Sequence, residues 1–184
     1  MTSTPKPVTS NSFDLTDQWL AEELKIKTVF HSQINKNLLE REQAGELDGI
    51  EIIQAMMSGD LPNSSMANTL EFTLIDARVG TVTIQCSPKN SYCNRFGTIH
   101  GGWFATVLDT AMGNAVQTQL AKHKKFTTAE LSVNIVRPLS PETSCVRATG
   151  TVIHFGSKLA TAEAKIIGPD GKLYAHGTCT CLLI

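Results

Sequence analysis

Nowhere in its 184 residues does the chain hold an apolar run approaching the roughly eighteen residues of a membrane span. The opening segment, Met1 to Ser12, is polar and rich in Pro, Ser and Thr, without the apolar stretch a secretory signal needs. Charge of one sign is also scarce. A formal net charge of −1 sets up no global field toward nucleic acid or an acidic membrane surface, though a local basic patch could still hold the phosphates of a small ligand. The five cysteines, Cys86, Cys93, Cys145, Cys179 and Cys181, include no CxxC pair, and their odd number argues against a disulfide framework or a zinc site. Cys179 and Cys181 stand two apart in an extended segment, so their side chains share a face. No Rossmann fingerprint, P-loop, metal-ligand cluster or serine nucleophile elbow occurs. The expectation is a reduced, cytoplasmic protein without a bound metal.

What is present is an ordinary globular mixture, 41% apolar and 18% charged, long enough for one domain with a terminal addition. Phe13 to Gln43 reads as helix: Leu20, Leu24, Ile26, Phe30, Ile34 and Leu38 recur mostly at four-residue steps, with Gly45 as a stop. A shorter helix is expected over Leu47 to Met57, ended by Gly59 and Pro62. From Ala67 the period becomes two, with Leu70, Phe72 and Leu74 and then Val82, Ile84 and Cys86 alternating with polar residues. An irregular stretch, Asn90 to Gly102, leads into a helix expected from Gly101 to Ala121. Phe104, Leu108, Ala111, Met112 and Ala115 line its buried stripe. Extended segments follow at Phe126–Val136, Ser144–Phe155, Lys158–Ile167 and Leu173–Leu183, separated by Pro138 and Pro141, Gly156, and Pro169-Asp170-Gly171. Hairpin-length links make the strands antiparallel, giving an α+β layer structure in the order β-β-α-β-β-β-β. The expected organisation is a flexible leader (1–12), an N-terminal helical extension (13–47) and a main domain (48–184). The extension carries no chemistry and is expected to pack on the domain or on a neighbouring subunit.

Chemistry concentrates between Asn94 and Asp109. A helix N-terminus presents unpaired N–H groups and partial positive charge. Gly101 and Gly102 leave those groups unshielded, so that a carbonyl oxygen can approach them as charge develops during acyl transfer. Asp109 follows Gly101 by eight residues, or ~12 Å of helix, too far for both to act on one carbonyl. A second helix packed antiparallel would bring the Asp109 of one chain to the Gly101 of the other, so the spacing favours a two-fold dimer.

The run His100-Gly101-Gly102-Trp103-Phe104-Ala105-Thr106-Val107-Leu108-Asp109-Thr110-Ala111-Met112-Gly113 resembles the signature of hotdog-fold thioesterases of the phenylacetate-degradation (PaaI) type. The resemblance continues through Thr127 to Asn134, Arg137-Pro138 and His154 to Leu159, covers roughly residues 48–184, and leaves the long N-terminal helix outside. It implies a six-stranded antiparallel sheet wrapped around one long central helix. It further implies dimers joined sheet edge to sheet edge, usually paired again into a homotetramer, and hydrolysis of an acyl- or aryl-acyl-CoA thioester. By resemblance, Asp109 is the nucleophile or general base and the Gly101 N–H the oxyanion donor. Asn94 and His100 orient the thioester or water, and Thr128 lies near the carboxylate. Arg137, Ser157 and Lys158 match positions that hold the coenzyme A nucleotide; Lys158 stands where arginine is frequent, which weakens bidentate phosphate binding. No cofactor is implied beyond the coenzyme A of the substrate. Trp103 reads equally as acyl-pocket wall or core, and His154 and His176 as strand residues. Two alternatives compete. A hotdog dehydratase or hydratase needs a differently placed His–carboxylate pair. A non-catalytic acyl-CoA-binding module has no use for the full Asn94, His100 and Asp109 set.

Overall fold

A computed structural model describes residues 11–33 and 44–184. Most of the expected leader, and residues 34–43 of the expected first helix, lie outside these. Helix α1 spans Asn11–Gln33 and α2 spans Gly49–Ser58. A capping box opens α2: Asp48 caps the first turn while its own N–H is bound by Glu51 at 2.8 Å. Left-handed Gly59 (φ 88°) closes it.

The period-two reading from Ala67 is corrected by a short helix, α3, at Ser65–Leu70. The Ser64 hydroxyl accepts the Ala67 N–H at 3.1 Å and starts that turn, and Glu71 ends it in the left-handed region. Strand β1 (Thr73–Arg78) follows, paired with β2 (Thr81–Cys86). Helix α4 runs Gly101–Gln117, ending a turn before the expected Ala121. There Thr118 turns its hydroxyl to the Ala115 carbonyl and the Gly80 N–H. Strands β3 (Phe126–Ile135), β4 (Val146–Phe155), β5 (Leu159–Ile167) and β6 (Leu173–Leu183) complete one antiparallel sheet.

The strand order is β1-β2-β4-β5-β6-β3, so the strand that follows α4 lies at the far edge. α4 crosses the sheet from β2 to β3, burying Phe104, Val107, Leu108, Ala111, Met112 and Val116. Against it stand the small or branched inward residues of the strands, including Val82, Ile84, Ala148, Ala162, Ala164, Cys179 and Cys181. Helix and sheet meet most closely at Gly150, where a Cβ would fall 2.3 Å from the Ala111 carbonyl oxygen. Only glycine fits there.

α1 lies on the other face of the sheet. Gln85 and Arg147 are paired across β2 and β4, between core residues that point to α4, so they face away from it. Glu23 of α1 is buried among them, accepting from Thr73 Oγ1 at 2.8 Å and Gln85 Nε2 at 2.9 Å. Arg147 donates to Gln85 Oε1 and to Glu22, and its guanidinium lies over the Trp19 ring at 4.3 Å. The extension is thus fixed to its own domain by a polar network in which each buried group has a partner.

Candidate active site

Three elements bring the site together: the loop before α4, the first turns of α4, and edge strand β3. His100 is the N-cap of α4, and its Nδ1 accepts the Gly102 N–H at 2.9 Å. This corrects the expectation of two free donors, because His100 consumes one of them. Gly101 has no hydrogen-bond partner for its N–H among the described residues, and it is exposed. That single N–H lies unbonded at the positive end of a 17-residue helix, where it can meet an anionic oxygen.

Two turns on, Asp109 is half-buried, and Oδ1 accepts the Thr128 hydroxyl at 2.9 Å. The contact depends on a feature the sequence reading missed. β3 carries an irregularity between Thr128 and Glu130, where its register on β6 slips by one residue. Such a bulge re-aims side chains. It lets Thr128 share the inner face with Leu131, opposite Cys181 and Cys179 of β6. No sequence signal marks it, since Ala129 is an ordinary strand residue.

Asn94 turns its polar atoms into its own loop. Oδ1 accepts the Phe96 N–H at 2.8 Å and Nδ2 donates to Thr98 Oγ1 at 2.9 Å, around left-handed Gly97. In the single chain it organises the turn that delivers His100 and Gly101 to the helix start. Trp103 is 4% exposed and stacks on Tyr92, so it belongs to the core while edging a groove of about 340 Å³. That groove also touches Leu70, Tyr92, His100, Gly102 and Thr106. A separate cavity of about 320 Å³ lies between α1, α2 and β1 and touches none of the candidate residues.

The nucleotide-side candidates do not meet within one chain. The Val136 and Arg137 N–H groups both bind the Tyr174 carbonyl, at the start of β6, and the Arg137 guanidinium lies 6.0 Å from the Tyr174 ring. Ser157 and Lys158 are exposed in the β4–β5 turn, where the Lys158 carbonyl accepts the Leu183 N–H at the end of β6. The two ends of that strand are ~30 Å apart at ~3.3 Å per residue. All five cysteines are free, and among the described residues no cluster of three or more His, Cys, Asp or Glu could hold a metal. No helix among them is long and apolar enough to cross a membrane.

One long helix wrapped by a six-stranded antiparallel sheet, with a glycine N–H at the helix start and a carboxylate two turns in, defines a hotdog-fold protein. The family model named Thioesterase superfamily matches residues 96–175. A curated protein of Halobacterium salinarum, named as an esterase, is 36% identical over 82 residues, which is 45% of this chain and 54% of the relative. The chain thus spans about half the length of the curated relative it matches. Solved structures share the fold. A phenylacetic acid degradation-related protein of Ralstonia eutropha aligns with TM-score 0.65 at 22% identity, over 70% of this chain and 97% of its own. The Escherichia coli PaaI protein from the phenylacetic acid degradation operon aligns with TM-score 0.63 at 20% identity, over 74% and 94%. Zebrafish thioesterase superfamily member 2 gives 0.61 at 21%, over 72% and 96%.

Proposed function

We propose that the protein is a thioester hydrolase acting on acyl-CoA, with two equivalent sites that are each shared by the subunits of a homodimer. The observation that carries this reading is the pairing of Thr128 with Asp109 beside an unpaired edge strand. β3 is exposed on much of both faces, and Leu131, Ile135 and Val136 are 36%, 45% and 56% exposed. An exposed apolar edge of this kind is a surface made for pairing with another strand.

The register of that pairing follows from the site. Antiparallel pairing of two β3 strands about a two-fold axis at Ser132, with the bulged Ala129 left out of the ladder, sets Thr128 opposite the partner's Ile135. Ile135 reaches Gly101 of its own chain, its Cδ1 lying 3.5 Å from where a Cβ on Gly101 would stand. Asp109 therefore meets the partner's Gly101 N–H. The same register sets Phe126, and beside it the Lys158 turn, opposite the partner's Arg137. One axis thus closes both gaps that the single chain leaves open. It supplies a cation pair for the coenzyme A phosphates, with Ser157 beside them.

In the reaction the thioester oxygen accepts from the partner's Gly101 N–H. Thr128 holds Asp109 Oδ1, and Oδ2 takes a proton from water as that water attacks the carbonyl carbon. The tetrahedral species collapses with cleavage of the C–S bond, and the coenzyme A thiolate leaves and takes up the proton. The groove edged by Leu70, Tyr92, Trp103 and Thr106 offers an apolar wall for the acyl group. The test is release of free thiol from short, medium, long and phenylacetyl-type acyl-CoAs. The wild type turns over at least one of them, and Asp109→Asn loses on the order of 10²-fold or more. Full activity in the variant contradicts the mechanism. Binding of every acyl-CoA without hydrolysis points instead to a binding module.

A further inference from the structure

The loop from α4 to β3 reads Lys122-His123-Lys124-Lys125, and all four side chains are exposed. The proposed reaction uses none of them. Two are already occupied: Glu46 lies 3.8 Å from Lys122 Nζ and 3.4 Å from His123 Nε2. Lys124 and Lys125 have no partner for their side chains among the described residues. Their backbone, by contrast, is held at every step. The Lys122 N–H donates to Asp48 Oδ1 at 3.0 Å, the His123 N–H to the Gly45 carbonyl at 3.2 Å and the Lys124 N–H to the Ala121 carbonyl at 3.1 Å. Lys125 exchanges two bonds of 2.8 Å with Ile184, which carries the pairing of β3 with β6 past Phe126. Two unpaired ammonium groups thus stand on a backbone that is already ordered, so a ligand that meets them bears little cost of ordering the loop.

The place of the loop says what these charges can meet. The Lys158 carbonyl accepts the Leu183 N–H, so Lys125 and Lys158 flank the end of β6, two strand spacings or ~10 Å apart. In the proposed dimer the partner's Arg137 lies opposite Phe126, the residue after Lys125. Outward along β3 from Thr128, the cations therefore come in order: the partner's Arg137 with Lys158, then Lys125 and Lys124. Coenzyme A presents its phosphates in a matching order, the diphosphate next to the pantetheine arm and the 3′-phosphate on the ribose beyond it. The Arg137–Lys158 pair suits the diphosphate, one cation to each phosphoryl group. The 3′-phosphate is a monoester with a further ~1.5–2 negative charges at neutral pH, and that pair leaves no cation for it.

We infer that Lys124 and Lys125 bind the 3′-phosphate of the coenzyme A nucleotide, and so select acyl-CoA over thioesters that lack this group. The inference rests on the proposed acyl-CoA hydrolysis and on the proposed dimer register. Both lysines lie far from the bond that breaks, so they hold ground state and transition state alike and their effect falls on KM. As exposed charges they act through a field that salt screens.

The experiment compares two substrates that differ by the 3′-phosphate alone: the acyl-CoA of the panel that is turned over fastest, and the same acyl group on 3′-dephospho-CoA. At low ionic strength the wild type is expected to favour acyl-CoA roughly five- to tenfold in kcat/KM, through KM. The double variant Lys124→Gln/Lys125→Gln is expected to bring that preference to within about twofold of unity. Lys122→Gln removes a charge from the same loop, but one paired with Glu46, and is expected to keep the preference. These substitutions touch exposed side chains only, so the fold is retained. A wild type indifferent to the 3′-phosphate overturns the inference. So does a double variant that keeps the preference or loses equally on both substrates, or a Lys122 variant that loses as much. Asp109→Asn, assayed alongside, separates the two failures. If the wild type hydrolyses both thioesters and Asp109→Asn neither, only the role of the lysines falls; if the wild type hydrolyses neither, the acyl-CoA reading falls first.

Discussion

At the scale of single residues, the site depends on which N–H groups the sequence leaves unbonded. His100 caps Gly102 with its own imidazole, leaving the Gly101 N–H unbonded, and its proposed role as donor can be tested without disturbing the helix. Proline is tolerated at the first helical position, where its missing N–H breaks no intrahelical bond. His100 already has the extended backbone, φ −63° and ψ 140°, that a following proline requires. Gly101→Pro is therefore expected to keep the fold, by circular dichroism, while kcat drops about 10²–10³-fold, the usual cost of one oxyanion donor. The placement of Gly101 at the helix start and of Asp109 two turns on was legible in the sequence because helix N-termini and eight-residue spacing are local facts. The use of Asn94 and of Gly102 was not, because both are settled by hydrogen bonds that close only once the loop has folded.

At the scale of elements, strand and helix periods were read with ends shifted by a few residues, and β6 was read to the residue. The misses have physical causes. α3 arises from the Ser64 cap, which outweighs the alternation of Leu70, Phe72 and Leu74. The β3 bulge arises from packing against β6 and has no local signature. α1 was read as an extra helix, but its attachment rests on residues more than 60 positions away in the chain, Gln85 and Arg147 among them. That attachment yields an element-scale prediction. Glu23→Ala leaves the Thr73 hydroxyl buried without its acceptor and the Gln85 amide with only the Trp19 carbonyl, a cost of about 1–3 kcal/mol. In a chain of this length it corresponds to a Tm fall of roughly 2–10 °C by calorimetry. Thiol release should be unchanged at assay temperature, since α1 lies on the sheet face turned away from Asp109. A loss of activity without a loss of stability would mean that α1 takes part in the site.

At the scale of the whole molecule, the two parts of the proposed site cannot serve each other within one chain. The N–H of Gly101 and the carboxylate of Asp109 are ~12 Å apart along one rigid helix, and Arg137 and Lys158 lie at opposite ends of β6. The sequence spacing raised the dimer; the position of β3 at the sheet edge, with its exposed Leu131, Ile135 and Val136, offers the proposed dimer a place to form. A shared site makes a demand that no arrangement within one chain meets. Gly101→Pro and Asp109→Asn each disable both sites of their own homodimer, but a mixed dimer has one site with Asp109 from the first variant and Gly101 from the second. The measurement is thiol release after the two inactive variants are co-expressed and co-purified. Half of the dimers in a random mixture are mixed, with one intact site each, so activity should return to about a quarter of the wild-type value. A mixture no more active than either parent would contradict the shared site and return Asp109 and Gly101 to separate roles.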